Sequence, residues 1–584
     1  MPPKSPYVIE IAMEMALPKA VLDKINLTHG PQMAQACGMS TSVGGIGPLL
    51  RERIFAQGDL GIEVVGVCLL YETVWAQVWQ EWGQIVLQKK FCGGALRSVM
   101  TPTDLDFELP LFDGQKVQVK VWELAFGKAK VYFLDCPEIT YCVYPGPKDA
   151  PRGIENSALW SHWDRLKQSW LIGRGGLALV KKLNRKPDII VLSETPTFFA
   201  HHRVVKDEFQ MDQFFSNVRY IFNDHTPLEY AHPLWDAHTL ERVKVDSSLY
   251  SDQVAWNPGK KLLDVTSFLV GICEGVFGVS KKHCELMRNM PSLKPFASKI
   301  KYITNGVCLG EWQTPELKAH EKIPDGELVS IKEKKRNDLV NWAWRRFQMY
   351  PHWADIARKN KVVLWTRRIT PYKRLDVLLK MLRFAEYRKR FLDLDLILFI
   401  GGRLHQQDTH AQDIVFDLLD LLNKDIELGQ RIIFVDNFNV WEAPLLYQGA
   451  DGSIMMSDDF REASATGFMK AQLNGAGIIA TPDGAIPEFV QYFDKNGGQK
   501  KSAKEENSVW GPNGFEVPYV NHEPTPEGFL EALEQFGEIC RDKAQYLKML
   551  RGSLAVSSQV DIERTALEMK SMYEGILNEP VVPR

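Results

Sequence analysis

No stretch of the 584-residue chain reaches the eighteen or so uninterrupted apolar residues that a bilayer-spanning helix needs, so no membrane span is expected. The N-terminal segment MPPKSPYVIEIAMEMALPKA interrupts its apolar run with Glu10 and Glu14, which makes a poor signal peptide and a better first strand. Cysteine is sparse: nine thiols lie at 37, 68, 92, 136, 142, 273, 284, 308 and 540, with no CxxC pair and no Cys/His set at zinc spacing. An odd, scattered set suits reduced thiols, so a cytoplasmic location is expected. Strong charge of either sign is also missing. A net charge of −3 and a pI near 6.5 argue against a general nucleic-acid binder. The basic run KEKKR at 332–336 is short and reads as a solvated helix face or linker. HExxH, GxSxG, a Walker loop and Asp-rich metal motifs are absent, so no metal is needed to explain the sequence. No internal repeat or low-complexity tract is evident.

What is present fits a globular chain. Apolar residues make up 45% and charged residues 24%, and the length allows about two to four domains. Most of the sixteen tryptophans are expected in the core, although such rings can also stack on sugars. Strand and helix patterns alternate. Strands are expected at 8–12, 62–67, 188–192, 220–223, 275–279 and 300–303, with a helix at 48–57 after the glycine-rich stretch 41–47. The stretches 116–122 and 130–134 read as an antiparallel pair, and 163–182 as a helix broken at its glycines. A charged helical connection covers 319–341. Alternation then restarts with strands at 362–365, 396–400, 432–435, 452–455 and 477–481. The polar stretch 495–507 reads as a mobile loop, and 526–578 as mostly helical with Pro580 as a stop. The expected fold class is α/β, with two doubly wound Rossmann-like domains facing a cleft. A hinge-closing binding protein would show the same pattern.

Polar residues repeatedly follow the strand ends, where open α/β sheets bind ligands. WTRRITPYKR at 365–374 places Arg367, Arg368, Lys373 and Arg374 within eight residues just past a strand. Such crowding favours an anion partner, and arginine pairs suit phosphate; carboxylates elsewhere in the chain are the other candidates. A second stretch, 460–488, carries Glu462, the small-residue turn 463–467 and Lys470 in the first turn of a helix. Free N–H groups at such a start can receive a phosphate, and the lysine is either a counter-charge or an amine placed to form a Schiff base. His225, between Asp224 and Thr226, is either a structural or a ligand-facing imidazole. Glu194 and Glu462 are carboxylates that could bind sugar hydroxyls or pair with cations, and Asn305 before Gly306 could be a turn residue.

Several motifs stand in a shared order: VIEIAMEMALP, the Gly44-Gly45 loop, LGIEVVGVCLLY, FNDHTPL, FGVSKKHCELMR, ITNGVCLGEW, RRITPYKR, RIIFVDNFNV and EASATGFMKAQLNG. In these the chain resembles the short form of the α-glucan (glycogen/starch/maltodextrin) phosphorylases over most of its length. The resemblance implies a GT-B fold, with 1–315 as an N-terminal α/β domain, 316–345 as a linker, 346–560 as a C-terminal α/β domain, and 561–584 as a helix returning to the first domain. It implies pyridoxal 5'-phosphate on Lys470, held by Arg367, Thr466, Gly467, Gly44 and Gly45, with Phe438 packed nearby. It implies that Arg368 and Lys373 hold inorganic phosphate, and that His225, Asn305, Glu462 and Ser464 bind glucose hydroxyls, with Glu194 as a further substrate contact. The implied reaction is phosphorolysis of an α-1,4-glucan to α-glucose 1-phosphate with retention. In that scheme the cofactor works through its phosphate, which passes a proton to and from inorganic phosphate.

The resemblance has departures. Ala465 stands where glycine is usual, Phe468 where a small or polar residue is usual, and Thr370 and Pro371 where histidine and glutamate are usual. SETPTFF surrounds Glu194 in place of an Asn-Glu-Gly-His motif. These changes fall on the sugar side and leave the choice of glucan or maltodextrin open. Two other readings stand beside phosphorolysis: a retaining nucleotide-sugar glycosyltransferase of the same architecture, and a non-catalytic glucan-binding relative. The expected partners are the glucan and inorganic phosphate, with no nucleic acid and no membrane, and the family suggests a homodimer.

Overall fold

The computed structural model describes residues 5–143, 145, 163–228, 231–251, 253–350, 352–494, 497–500 and 510–579. The chain folds into two compact units. The first comprises Met1–Val74, Lys89–Thr304 and Thr565–Arg584, and the second Trp75–Gln88 and Asn305–Arg564. Among the described residues no helix is long and apolar enough to cross a membrane.

The first unit is built on YVIEI, IIVLS and RYIFN, strands that are buried along their whole length. Such near-continuous burial goes with a parallel sheet covered on both faces. Its parallel strands lie in the order Ala129–Asp135, Glu63–Leu69, Tyr7–Ile11, Ile189–Ser193, Arg219–Asn223, Gly275–Gly278 and Ile300–Tyr302. Lys116–Phe126 joins Ala129–Asp135 as the antiparallel pair expected from its alternation, through a turn at Gly127 with φ +61°. The segment with the glycine break is helical at Trp163–Trp170, widens to a π-helical turn at Leu171–Gly175 and resumes at Gly176–Lys182. A Cβ on Gly173 would lie 2.5 Å from the Phe199 main chain, so glycine is what lets that chain pass.

The second unit has six parallel strands in the order Ile432–Val435, Leu396–Gly401, Lys361–Thr366, Gly452–Met455, Gly477–Ala480 and Gly514–Glu516. Val363 and Trp365 pack into one core layer and Val362 and Leu364 into another, so helices cover both faces. The connection expected at 319–341 is the helix Asp325–Arg346, which lies within this unit.

Two segments are divided between the units. The hairpin Thr73–Trp79 and Ile85–Phe91 was not anticipated, and its residues Trp75–Gln88 count with the second unit. Gln77 exchanges main-chain hydrogen bonds with the Asn437 amide at 2.7 and 2.8 Å, and Trp79 meets Phe434 edge-on. The final helix Ile562–Asn578 starts in the second unit, and from Thr565 onward it belongs to the first. There the Tyr573 hydroxyl donates to Gln57 Oε1 at 3.0 Å, and Gly275 leaves room for Ile576 and Met572. The loop expected at 495–507 and the stop at Pro580 fall largely outside the described residues.

Numbered by sequence, the parallel strands run 3-2-1-4-5-6-7 in the first unit and 3-2-1-4-5-6 in the second. Each sheet reverses its direction of winding between strands 1 and 4. Open α/β sheets leave a crevice beyond the carboxyl ends at that switch point, and ligands bind there.

Candidate active site

In the second unit the switch point lies between Lys361–Thr366 and Gly452–Met455. Arg367 follows the first of these strands directly. Its N–H donates to the Gly401 carbonyl at 2.9 Å, and Gly402 admits the Arg367 main chain where a Cβ would lie 2.3 Å from its carbonyl oxygen. The chain then turns through Pro371–Lys373 into the helix Leu375–Arg383. From the other strand come Met456, Ser457 and the loop to Glu462. The Arg367 guanidinium donates to the Met456 carbonyl and to Glu462 Oε2, and Lys373 Nζ donates to the same Oε2 at 2.5 Å. One carboxylate oxygen therefore holds two cations, all three side chains being nearly buried.

These groups shift one another. Burial, then Arg367, pushes the Lys373 amine down to about 7, against the opposing pull of Glu462. Burial alone would raise the Glu462 carboxyl, but Lys373 and Arg367 outweigh it and hold it below its ordinary value. Arg374 does not join the cluster. It adopts a left-handed conformation (φ +59°) and pairs with Asp376, Asp458 and Glu523 at 3.1, 2.6 and 2.8 Å. The crowding of four cations expected from sequence is thus reduced, since one of them is neutralised by carboxylates.

Asp483, which sequence reasoning missed, shapes the loop that carries Glu462. Its Oδ2 accepts from Ser457 Oγ at 3.1 Å and from the N–H groups of Arg461 and Glu462 at 2.9 and 2.8 Å. Gly484 (φ +59°) fits against Glu462 Cγ and the Ser464 main chain, each 3.1 Å from where its Cβ would be. Proximity of TPDG to the Glu462 stretch was the only available signal.

Past Glu462 the chain enters the short helix Thr466–Gln472 through Ala465, held left-handed at φ +66°, ψ +50°. That conformation explains why glycine would be at ease here, and alanine holds it at a cost of about 1–2 kcal/mol. Gly467 has no room for a side chain, since a Cβ would lie 2.6 Å from Met455 Cε and 3.2 Å from the Tyr447 hydroxyl. Phe468 is buried in the core, tilted against Phe489. Lys470 is buried, with Nζ 3.8 Å from the centroid of the Trp312 ring. Trp312, another residue missed from sequence, meets Tyr447 edge-on. Asn474 anchors this layer: its amide donates to the carbonyls of Trp312 and Lys470 at 2.9 and 3.0 Å. A cation over an indole face is stabilised, so the pairing also fixes the direction of the amine.

The remaining expected site residues that fall in this unit are placed as follows. Phe438 lies half-buried against Gly401, whose Cβ would be 2.9 Å from its ring. Asn305 is buried, and its carbonyl accepts from Arg564 Nη2 at 3.1 Å. Arg368 is half-buried beside Tyr372, whose hydroxyl is pushed up to about 12 by burial and by Glu462. Ser464 Oγ and Thr370 Oγ1 are buried without a hydrogen-bond partner. Buried hydroxyls of this kind are costly unless a ligand or water completes them.

In the first unit the switch point lies between Tyr7–Ile11 and Ile189–Ser193. Glu14 and Glu194 follow these strands. Glu14 Oε2 accepts from the Val43 N–H at 2.5 Å in the glycine-rich turn. Gly44 has nothing within 4 Å of its Cβ position, and Gly45 precedes the helix Ile46–Asp59. Glu194 has φ +69°, ψ +161°, an arrangement normally left to glycine. Its Oε1 accepts from the His225 N–H at 3.0 Å and from Thr226 Oγ1 at 2.9 Å. Burial and the neighbouring Asp224 carboxylate push the Glu194 carboxyl up to about 8. Burial, with Arg53 and His283 nearby, holds His225 neutral, and its Nε2 is buried without a hydrogen-bond partner.

A buried hub that sequence reasoning did not single out holds these strand ends. Arg53 donates to Glu10 Oε2 at 3.1 and 2.7 Å, to Asn223 Oδ1 at 2.7 Å and to Ser193 Oγ at 3.3 Å. One guanidinium thus ties together strands 1, 4 and 5, the last two leading into Glu194 and His225.

The residues of the second unit fit a phosphorylated aldehyde cofactor. Lys470 supplies a buried amine, Gly467 a crowded backbone, and Arg367 and Lys373 two cations against one carboxylate. Ser464 and Thr370 add hydroxyls without partners.

Comparison with known proteins shows what the chain is similar to. The fold resembles the catalytic domain of starch synthase IV from Arabidopsis thaliana, solved bound to ADP and acarbose, with a TM-score of 0.68 over 99% of this chain and 100% of that one at 18% identity. The fold is therefore two Rossmann-like domains of the GT-B type. The chain is 25% identical over 525 residues to a glycogen phosphorylase of Aquifex aeolicus, covering 78% of this chain and 72% of that protein. It is 24% identical over 509 residues to a maltodextrin phosphorylase of Thermococcus litoralis, covering 78% of this chain and 59% of that protein. Residues 315–498 match the carbohydrate phosphorylase family model, a span that includes Arg367, Lys373, Glu462 and Lys470. Residues 315–498 thus match the carbohydrate phosphorylase model, and most of the chain is similar, at low identity, to a glycogen and a maltodextrin phosphorylase.

Proposed function

We propose that the protein is an α-glucan phosphorylase that uses inorganic phosphate to cleave a terminal α-1,4 bond and releases α-glucose 1-phosphate with retention. The observation that carries this reading is the second unit's switch point, where Arg367 and Lys373 follow one strand, and Glu462 and the buried Lys470 follow the other. Lys470 would hold pyridoxal 5'-phosphate through its amine, with Arg367, Thr466 and Gly467 toward the cofactor phosphate and Phe438 beside it. Bound there, the cofactor would supply a phosphate group able to exchange a proton with inorganic phosphate.

The protein's own groups do the rest. Arg368 and Lys373 hold inorganic phosphate by charge-assisted hydrogen bonds, which stabilise negative charge in a water-poor site. Glu462 accepts from sugar hydroxyls, and Ser464 and Asn305 supply neutral hydrogen bonds. In the first unit the Gly44 main chain is unhindered, with nothing within 4 Å of its Cβ position, and Gly44 and Gly45 could offer backbone N–H groups to an anion. There His225, held neutral, can accept or donate at Nε2 toward a sugar hydroxyl, and Glu194, largely protonated near neutral pH, can donate one. The choice between glycogen, starch and short maltodextrins is set by the residues around Ala465, Thr370 and Glu194. We place the enzyme in the cytoplasm, in keeping with its scattered thiols.

The ADP-bound starch synthase of the same fold motivates a second reading, transfer from a nucleotide sugar. A buried lysine over an indole has no evident task in that reaction. Borohydride reduction of the purified protein followed by peptide mapping, with a parallel assay of glucose 1-phosphate release from maltodextrin and phosphate, separates the two. A pyridoxyl label on Lys470 together with phosphate-dependent turnover is expected. Turnover only with a nucleotide sugar, and no label, would sink the phosphorylase reading.

A further inference from the structure

We propose that Trp82 and Phe416 form a second carbohydrate-binding surface on the second unit, apart from the switch point, on which sugar rings of a polymeric α-glucan stack. That the ligand is an α-glucan rests on the reading above; the platform itself rests on geometry.

The hairpin formed by Thr73–Trp79 and Ile85–Phe91 ends in a tight turn. The Gln80 N–H donates to the Gln84 carbonyl at 2.7 Å, the Gly83 N–H donates to the Gln80 carbonyl at 3.0 Å, and Gly83 takes φ +77°. Trp82, the third residue of that turn, is 62% exposed. The helix Thr409–Lys424 holds the tip. Its Asn423 amide donates to the Gly83 carbonyl at 2.9 Å, and the Gln84 amide donates to the Phe416 carbonyl at 3.0 Å. Gly83 fits so closely that a Cβ would lie 2.5 Å from Asn423 Nδ2. The indole is thereby fixed beside Phe416, itself 50% exposed, with ring centroids 6.4 Å apart and planes at 57°.

Single exposed apolar side chains are ordinary on protein surfaces. Here the fold brings two aromatic rings together from positions more than three hundred residues apart and leaves each at least half exposed. They therefore add a rigid surface rather than core.

The neighbours select the ligand. Asp413, Asp417 and Asp420 lie on the Phe416 side of the helix, and Glu81 precedes the indole. The cations beside them are engaged, Arg383 with Asp417 at 2.9 Å and Lys424 with Asp420 at 2.8 Å. Such a carboxylate-rich rim repels the phosphates of nucleic acid and of anionic lipid. A second copy of the chain is also a poor fit, since the two rings present on the order of 250 Å² against the about 800 Å² per partner of a stable interface. A neutral ligand with an apolar face and a polar edge satisfies both conditions. The C–H groups on one face of a glucose ring lie against an aromatic face, while the hydroxyls at its edge reach the Gln80 amide and the carboxylates.

The platform is separate from the Lys470 site. Trp79 of the same hairpin meets Phe434 on the edge strand Ile432–Val435, two strands away from the switch point. A branched or long glucan held at both places gains from its raised local concentration, whereas a short maltodextrin that engages only one does not.

Native electrophoresis through gels with and without glycogen, together with initial rates of glucose 1-phosphate release, tests this on the full chain. Glycogen is expected to retard the wild type. Trp82→Ala and Phe416→Ser should each weaken glycogen binding about fivefold, and Trp82→Tyr should keep most of it. Trp82→Ala should raise the KM for glycogen by a similar factor and leave kcat and KM for maltopentaose unchanged. An unretarded wild type, or a Trp82→Ala protein retarded as strongly as wild type, overturns the proposal, and glucose 1-phosphate release in the same preparation would leave the phosphorolysis reading standing. Retardation that depends on Trp82, with no phosphate-dependent turnover by wild type, upholds the platform and refutes that reading. If Trp82→Ala fails to fold, Phe416→Ser decides the matter in the same way. A wild type that sediments as a dimer and becomes monomeric on Trp82→Ala would assign the rings to a second copy and overturn the proposal.

Discussion

The two units share one topology and use it differently. Each sheet reverses between strands 1 and 4, and each places a carboxylate against the donors found there. In the second unit the donors are side-chain cations, Arg367 and Lys373, held by Glu462. In the first unit the Val43 backbone N–H is held by Glu14, and Glu194 is held by the His225 N–H and Thr226 hydroxyl. Cations meet a carboxylate at one switch point, whereas at the other burial favours the uncharged forms of His225 and Glu194 beside the carboxylates of Glu14 and Asp224. The same topology thus sets cations against a carboxylate at one switch point and an imidazole among carboxylates at the other. The difference follows from what comes after the strands, RRITPYKR in one case and SETPTFF with NDHTP in the other.

Several substitutions would break or sharpen this contrast. The largest effect is expected from Lys470→Ala, which should abolish glucose 1-phosphate release while leaving the far-ultraviolet circular dichroism unchanged. A fully active variant would remove the second unit's assigned chemistry. Next, Arg53→Met strands the Glu10 carboxylate in the first unit's core, where both side chains are 1% exposed, and should cost about 3–5 kcal/mol in a denaturant titration. Adding Glu10→Leu should recover most of that loss; if it does not, the hub acts by more than charge pairing.

A smaller change is expected from Ala465→Gly. It relieves the left-handed strain at φ +66° and should stabilise the protein by up to about 1 kcal/mol, seen as a higher melting temperature. A lower melting temperature would mean that the alanine methyl is needed for packing. The smallest effect concerns Glu194. Its carboxyl is raised from 4.5 to about 8, so its contribution to stability is fully present below the ordinary carboxyl range and gone once pH passes about 8. Glu194→Gln should therefore flatten the fall in melting temperature between those values. An unchanged pH profile would show that Glu194 is not held protonated by the fold.

Much of this was legible from local pattern. Strands such as 188–192 and 432–435 stand out as apolar runs because both sheet faces are covered. The basic turn at 367–374 stands out because charge rarely concentrates immediately after a buried strand. The hairpin from 73 to 91 did not stand out, because its strands draw support from Asn437 and Phe434, more than three hundred residues away. The break at 171–175 was visible in its glycines, but the Phe199 chain that lies against Gly173 was not.

The amino-acid sequence by itself determined the alternation of strands and helices, the charge placed after each strand, and the position of Lys470 beside a small-residue turn, because these follow from local periodicity and side-chain chemistry. Only the tertiary structure decided how those charges are shared. It paired Arg374 with Asp376, Asp458 and Glu523, gave Arg367 and Lys373 a common partner in Glu462, laid Trp312 beneath Lys470, and joined Arg53 to three strand ends. Such pairings depend on which strand ends become neighbours at the switch point, and strand order is set by long-range packing that no local stretch encodes.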